Sequence, residues 1–204
     1  RKFKEDGRIK KMLREAKAIG CFYVESPAMR MLLRKLQVDN YLGLVAASSV
    51  IRPGVAQSGM MQEYILRYRN PERRKDAHPV LLELMPETYG VMVYQEDVIK
   101  VAHYFAGLSL GEADKMRRGM SGKYRSRAEF DQVREKFFHN CIHEKGHSAE
   151  LTAEVWRQTA SFAGYAFAKG HSASYAVESY QSLFLKAYFP IEYMVATINN
   201  SGGF

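Results

Sequence analysis

The stretch Phe162-Ala-Gly-Tyr-Ala-Phe-Ala-Lys-Gly-His-Ser-Ala-Ser-Tyr-Ala176, continued by Ser179-Tyr-Gln-Ser-Leu-Phe-Leu-Lys-Ala-Tyr-Phe-Pro190, decides how the chain is read. Its second half carries apolar residues at helical spacing. Ser172 stands where a capping serine stands, so the sequence predicts a long helix over 173–188. The first half sets Lys169 and His171 around Gly170. Glycine lets backbone approach a ligand closely, and a basic loop feeding a helix N-terminus suits an anion, because unpaired N–H groups and the helix dipole both favour phosphate. Tyr165, Phe167 and Tyr175 beside this loop are candidates for base stacking and equally for core and rim packing.

Outward from that stretch the pattern stays helical. A basic helix is expected over 8–19, ending at Gly20, and Ser26-Pro27 opens a helix carrying Met29, Leu32, Leu33 and Leu36 on one stripe. Helices are expected over 40–50 and 57–69, the first closed by Arg52-Pro53-Gly54 and the second by Asn70-Pro71. The segment 71–90 holds three prolines and reads as an irregular connector; the β-prone run Val91-Met-Val-Tyr94 leads into a helix over 95–106. Ser109 with Glu112, and Ser126 with Glu129, fit the capping-box spacing. Further helices follow over 127–145 and 149–163, and a short one opens at Pro190. The expected architecture is a single all-α domain over 1–204, multi-helix with only short strand fragments.

Hydrophobic residues make up 47% of the 204, which excludes general disorder. No run approaches the roughly 18 apolar residues of a membrane span, and no signal-peptide pattern opens the chain. Cys21 and Cys141 suit a reducing, cytoplasmic compartment better than a disulfide scaffold. The net charge of +8 is uneven: residues 1–75 hold 17 Lys+Arg against 7 Asp+Glu, and residues 115–127 carry Lys115, Arg117, Arg118, Lys123, Arg125 and Arg127 with no acid. Such stripes either attract phosphate backbones, with affinity that falls as salt rises, or simply form a solvated surface.

Three constellations bear on chemistry. The six aspartates are scattered without an Asp-x-Asp pair, so nothing local supplies the carboxylates that hold two catalytic metal ions. His139, His143 and His147, spaced by four, could share a helix face, but with Cys141 pointing elsewhere and no CxxC partner they read as surface histidines rather than a zinc site. Arg117 and Arg118 diverge by about 100° on a helix. One could meet a ligand while the other grips elsewhere, or both could complement the helix C-terminus.

The chain also carries a family resemblance. FAGYAFAKGHSASYA followed by SYQSLFLKAYFP, Cys21-Phe-Tyr-Val-Glu-Ser26, Ile51-Arg-Pro-Gly54 with Gln57-Ser-Gly-Met60, Thr88-Tyr-Gly-Val-Met-Val-Tyr-Gln-Glu96, and Leu110-Gly-Glu-Ala-Asp114 with Arg117-Arg-Gly-Met120 resemble ordered motifs of the C-family polymerases. The resemblance is to the fingers domain of the bacterial replicative DNA polymerase III alpha subunit; the family patterns are GxFQxES, RPGPxxSGM, TYGIxxYQEQ and LGxAD…RRAM. It implies a helical subdomain that closes over the incoming deoxynucleoside triphosphate and helps frame template DNA. Carried over, Arg117 and Arg118 would contact the triphosphate and sugar region, with Tyr165, Lys169 and His171 on the opposite wall and Arg52 nearby. Where the family reads GFNKSH this chain has Ala166-Phe-Ala-Lys-Gly-His171, so hydrogen bonds from the usual asparagine and serine are lost or supplied elsewhere.

The resemblance implies that the magnesium-binding aspartates lie in a palm domain outside these residues, leaving no catalytic or metal residue within them. The ends read as cut from a longer chain, and with no metal-binding carboxylate constellation the piece alone is expected to be inert. Expected partners are primer–template DNA, the palm and other domains of the parent, and replisome subunits, with no membrane. Lys10, Lys11, Arg14, Lys123, Arg125 and Arg127 are the expected DNA contacts. The alternatives are the fingers of an error-prone paralogue, or a non-catalytic helical module that grips nucleic acid without selecting a nucleotide.

Overall fold

The computed structural model describes residues 2–51, 55, 59–120, 127–163 and 168–200. Their contacts divide the chain into two units, Arg1–Ile51 with Lys169–Phe204 and Arg52–Ala168. Among the described residues the regular structure is all helical and no strand forms, in accord with the all-α expectation.

The first unit contains α1 (Gly7–Arg14), α2 (Pro27–Leu36), α3 (Tyr41–Val50), α10 (Lys169–Tyr188) and α11 (Pro190–Asn199). Local chemistry sets the helix starts. Asp6 accepts hydrogen bonds from the N–H groups of Arg8 and Ile9 at 2.9 and 3.1 Å. Ser26 Oγ accepts from Met29 N at 3.2 Å with Pro27 beside it, and Asn40 Oδ1 accepts from Gly43 N at 2.8 Å. Residue 43 onward in α3 is buried on every face, as a run of small and apolar residues requires. The helix packs along α10, the most extensive helix contact among the described residues.

The basic helix expected over 8–19 stops at Arg14, because Ala16 turns to φ 52° and is buried with Ala18. The long helix begins four residues before the expected 173. Its presumed cap, Ser172, is 1% exposed within the first turns, with its Oγ 2.7 Å from Ser49 Oγ. A tertiary hydroxyl pair has claimed the side chain that the cap reading assigned to backbone.

The second unit contains α4 (Met60–Arg69), α5 (Pro79–Leu84), α6 (Gln95–Lys100), α7 (Leu110–Met120), α8 (Arg127–His139) and α9 (Ala149–Ala163). The segment 71–90, expected as an irregular connector, holds three short helical pieces, Pro71–Asp76, Pro79–Leu84 and Pro86–Thr88, each opened by a proline. Residues 91–93 are buried and pair with no strand. Asp97, itself buried, accepts from the N–H groups of Val93 and Tyr94 at 2.9 Å each, and Thr88 Oγ1 donates to Val91 O at 2.7 Å, so side chains take up part of this run's backbone hydrogen bonding. Two expected helices change pitch near their ends: α6 runs into a π-helical turn at Val101–Phe105, and α8 into another at Asn140–Glu144.

Candidate functional site

The capping-box reading at the start of α7 is realised in full. Glu112 Oε2 accepts from Ser109 N and Ser109 Oγ at 2.9 and 2.8 Å, and Glu112 N donates back to Ser109 Oγ at 3.3 Å. Lys136 Nζ reaches the other carboxylate oxygen at 2.8 Å. Lys136 first, then the Ser109 donors, hold the Glu112 carboxyl down to about 2.

Eight residues along α7 from Ser109, Arg117 and Arg118 converge on a single carboxylate. Arg117 donates from Nε and Nη2 to Asp114 Oδ1 at 3.1 and 2.8 Å, while Arg118 Nη2 lies 3.0 Å from Asp114 Oδ2. Gln95 Oε1 accepts from Arg117 Nη1 at 3.4 Å. The divergence expected of neighbouring arginines is thus cancelled at their tips: long side chains leave the helix about 100° apart and wrap back to the acid three and four residues earlier. The sequence reading missed Asp114, although the spacing in Ala113-Asp-Lys-Met-Arg-Arg118 is the ordinary signal for such pairs.

The same helix has a glycine for packing. A Cβ on Gly119 would stand 2.2 Å from a ring carbon of Phe130, so the missing side chain lets α8 come close. Phe130 in turn faces Trp156 on α9, which also meets Phe137 and Phe138 at centroid distances of 5.2 and 5.6 Å. Gly119 therefore serves the close packing of α7 on α8.

In the first unit, Lys169, Gly170 and His171 form the opening turn of α10 instead of a loop before it. Lys169 is half-buried, Gly170 and His171 are exposed, and a Cβ added to Gly170 would meet nothing within 4 Å. A helix of 20 residues begins at these groups in place of the anticipated loop, so its positive dipole end lies at them. Tyr165 and Arg52 lie outside the described residues, as do Lys123 and Arg125.

The expected DNA cations of α1 each face an acid. Lys10 pairs with Glu5 at 2.8 Å, Lys11 with Glu15 at 3.9 Å and Arg14 with Asp39 at 3.7 Å. Exposed pairs of this kind are weak and exchange readily for phosphate. Lys11 and Arg14 also line an open recess with Glu15, Arg34 and Gln37, which adds Arg34 to the expected set. Arg127, the first residue of α8, is exposed.

The histidines do not gather around a metal position. Cys141 is fully buried, and burial pushes its thiol up to about 12. His147 stacks on Phe105 at 4.1 Å and meets His78 edge-on at 5.4 Å, while His139 and His143 contact each other at 4.9 Å. Among the described residues no group of three or more His, Cys, Asp or Glu side chains is arranged to hold a metal ion. No helix of the described residues is long and apolar enough to cross a membrane.

Comparison with known proteins gives one consistent family. The model of the bacterial DNA polymerase III alpha subunit finger domain matches residues 3–145. The chain is 35% identical to the DNA polymerase III subunit alpha of Aquifex aeolicus, over 95% of its own length and 16% of that protein's. It is 38% identical to the corresponding subunit of Pasteurella multocida and 37% identical to that of Treponema pallidum, in each case over 93% of this chain and 16% of the relative. The chain thus spans 16% of the length of these curated relatives.

Proposed function

Because the chain belongs to the family of bacterial DNA polymerase III alpha subunit finger domains, we propose that it serves as the fingers region of a DNA-directed DNA polymerase. In this reading it binds the incoming deoxynucleoside triphosphate and helps position template DNA in the cytoplasm, working with the palm and other domains of its parent and with replisome subunits. The observation that carries the reading is the pair Arg117 and Arg118, assembled on Asp114 near the end of α7. Guanidinium is the side-chain group best matched to phosphate oxygens, and two of them beside one carboxylate leave a local charge of about +1 for an anion. Lys169 and His171 add positive character at the start of a second helix.

The fingers supply binding and charge neutralisation, not bond making. A guanidinium on the triphosphate stabilises charge that grows on the leaving pyrophosphate, so it acts on turnover as well as affinity. Magnesium, when bound in a polymerase, neutralises the phosphates and activates the attacking hydroxyl, and that work needs carboxylates converging on two ions about 4 Å apart. Among the described residues no carboxylates converge in a way that fits that group: Asp114 is engaged by two guanidiniums and Asp97 by two backbone N–H groups. The metal site belongs, in this reading, to the palm of the parent. The recess lined by Lys11, Arg14 and Arg34 supports a second, sequence-independent contact to the DNA backbone.

The test is nucleotide incorporation by the intact parent polymerase carrying Arg117→Ala, Arg118→Ala or Lys169→Ala. Each should lower kcat/KM for nucleotide by about tenfold or more, the loss expected of one charge-assisted hydrogen bond, with primer–template affinity close to the parental value. Collapse of DNA affinity with an untouched nucleotide response would assign these residues to the duplex instead.

A further inference from the structure

We propose that Asp114 is a positioning residue for nucleotide capture, holding Arg117 as a fixed strut and setting Arg118 as the arm that meets the triphosphate. The inference rests on the fingers reading above and divides the labour of the two arginines, which that reading treats alike.

The division follows from how each guanidinium is committed. Arg117 gives Nε and Nη2 to Asp114 Oδ1 and Nη1 to Gln95, so all three of its nitrogens are engaged, and its side chain is 25% exposed. Arg118 is 49% exposed, and it meets Asp114 Oδ2 through Nη2 alone. Its second Nη2 N–H, beside the donors of Nε and Nη1, leaves one fork of the guanidinium open for a bidentate grip on phosphate. An arginine with every nitrogen engaged makes a support; one held by a single nitrogen makes a reader.

Asp114 does more here than an ordinary surface acid. Arg117 and Arg118 are adjacent like charges, and without the carboxylate they would repel and sample many rotamers. Ordering them at the moment of binding would weaken capture. With the carboxylate in place, the rotamers are chosen beforehand while one net positive charge remains. Exposed ion pairs at this helical spacing contribute little to folding, so the arrangement matters for geometry more than for stability. Loss of the carboxylate has two opposed effects. It frees the arginines, which weakens capture, and it raises the local positive charge, which strengthens it. The measurement decides which dominates, and preorganisation is expected to win because catalysis depends on the placement of donors.

The experiment makes Asp114→Asn and Asp114→Glu in the intact polymerase, each alone and combined with Arg118→Ala, and measures kcat, nucleotide KM and melting temperature. Asp114→Asn should lower kcat/KM about tenfold with kcat included in the loss, as for other coupled neighbours. Asp114→Glu, which still reaches an arginine four residues on, should restore most of the activity. Asp114→Asn should add little to Arg118→Ala, because its effect is exerted through that arginine. A lower KM with unchanged kcat would make Asp114 a charge brake and overturn the proposal. Losses that add, or losses that follow a lower melting temperature and are not rescued by Glu, would also overturn it. A harmful Arg118→Ala with a silent Asp114→Asn removes this inference alone. A silent Arg118→Ala removes the fingers assignment of the pair and this inference with it.

Discussion

Where α3 meets α10 the buried hydroxyls of Ser49 and Ser172 lie 2.7 Å apart, with Tyr41 and Tyr180 at one end, whereas α8 and α9 meet through Phe130, Phe137, Phe138 and Trp156. Small side chains let backbones approach and bury little area per residue. Ser49 of that seam also reaches back along its own helix, its Oγ donating to Val45 O at 2.8 Å. Rings hold their helices apart and bury more apolar surface apiece. One seam is therefore sensitive to added volume and the other to removed volume. The single tryptophan, Trp156, lies in the aromatic seam, so its fluorescence reports on the second unit while far-UV circular dichroism reports on both.

The largest effect should come from deleting a ring. Phe137 is fully buried, and Phe137→Ala should cost about 3–5 kcal/mol of stability, transfer and cavity terms together. Urea denaturation followed by Trp156 fluorescence checks this; a loss below about 1 kcal/mol would mean the ring is not a core element. A smaller effect is expected from filling the other seam. Ser49→Val adds volume where Ser172 lies 2.7 Å away and leaves that hydroxyl without its partner, for about 1–3 kcal/mol. The transition should move in circular dichroism with little change in Trp156 fluorescence. Equal movement in both signals would show that the units unfold as one and would erase the contrast.

The smallest effect is a pH dependence. Glu112 titrates near 2 in the folded chain against an ordinary 4.5, so its contribution is present above 4.5 and fades as pH falls through about 2. Glu112→Gln should flatten the acid limb of stability seen by Trp156 fluorescence in that window. An unchanged acid limb would show that the Lys136 and Ser109 contacts carry no net stabilisation.

Much of the fold is legible where a helix end is written in adjacent residues. Ser26 with Pro27, Ser109 with Glu112, Asn70 with Pro71 and Pro190 all act at the boundaries their chemistry predicts. The misreadings arise where a side chain is claimed from far away in sequence. Ser172 has a capping identity, but Ser49, 123 positions earlier, takes its hydroxyl and the helix starts before it. The β-prone run Val91–Tyr94 has strand propensity but no strand partner among the described residues, and Asp97 takes the N–H groups of Val93 and Tyr94 instead. The π turns at Val101–Phe105 and Asn140–Glu144 break the 3.6-residue period on which helix reading depends. At the site, Arg117 and Arg118 are legible as phosphate-seeking cations. Their common anchor follows from i, i+3 and i, i+4 spacing, yet it emerges only when both side chains are followed to their tips.

Gly119 has one further meaning. The family pattern for this helix, RRAM, carries alanine in the third place, where this chain has glycine. With the ring of Phe130 2.2 Å from any Cβ there, positions 119 and 130 compete for one volume, and a methyl at the first excludes this ring placement at the second. A chain with alanine at the first position therefore needs a smaller or differently placed group at the second, so the two helices α7 and α8 carry one packing choice between them.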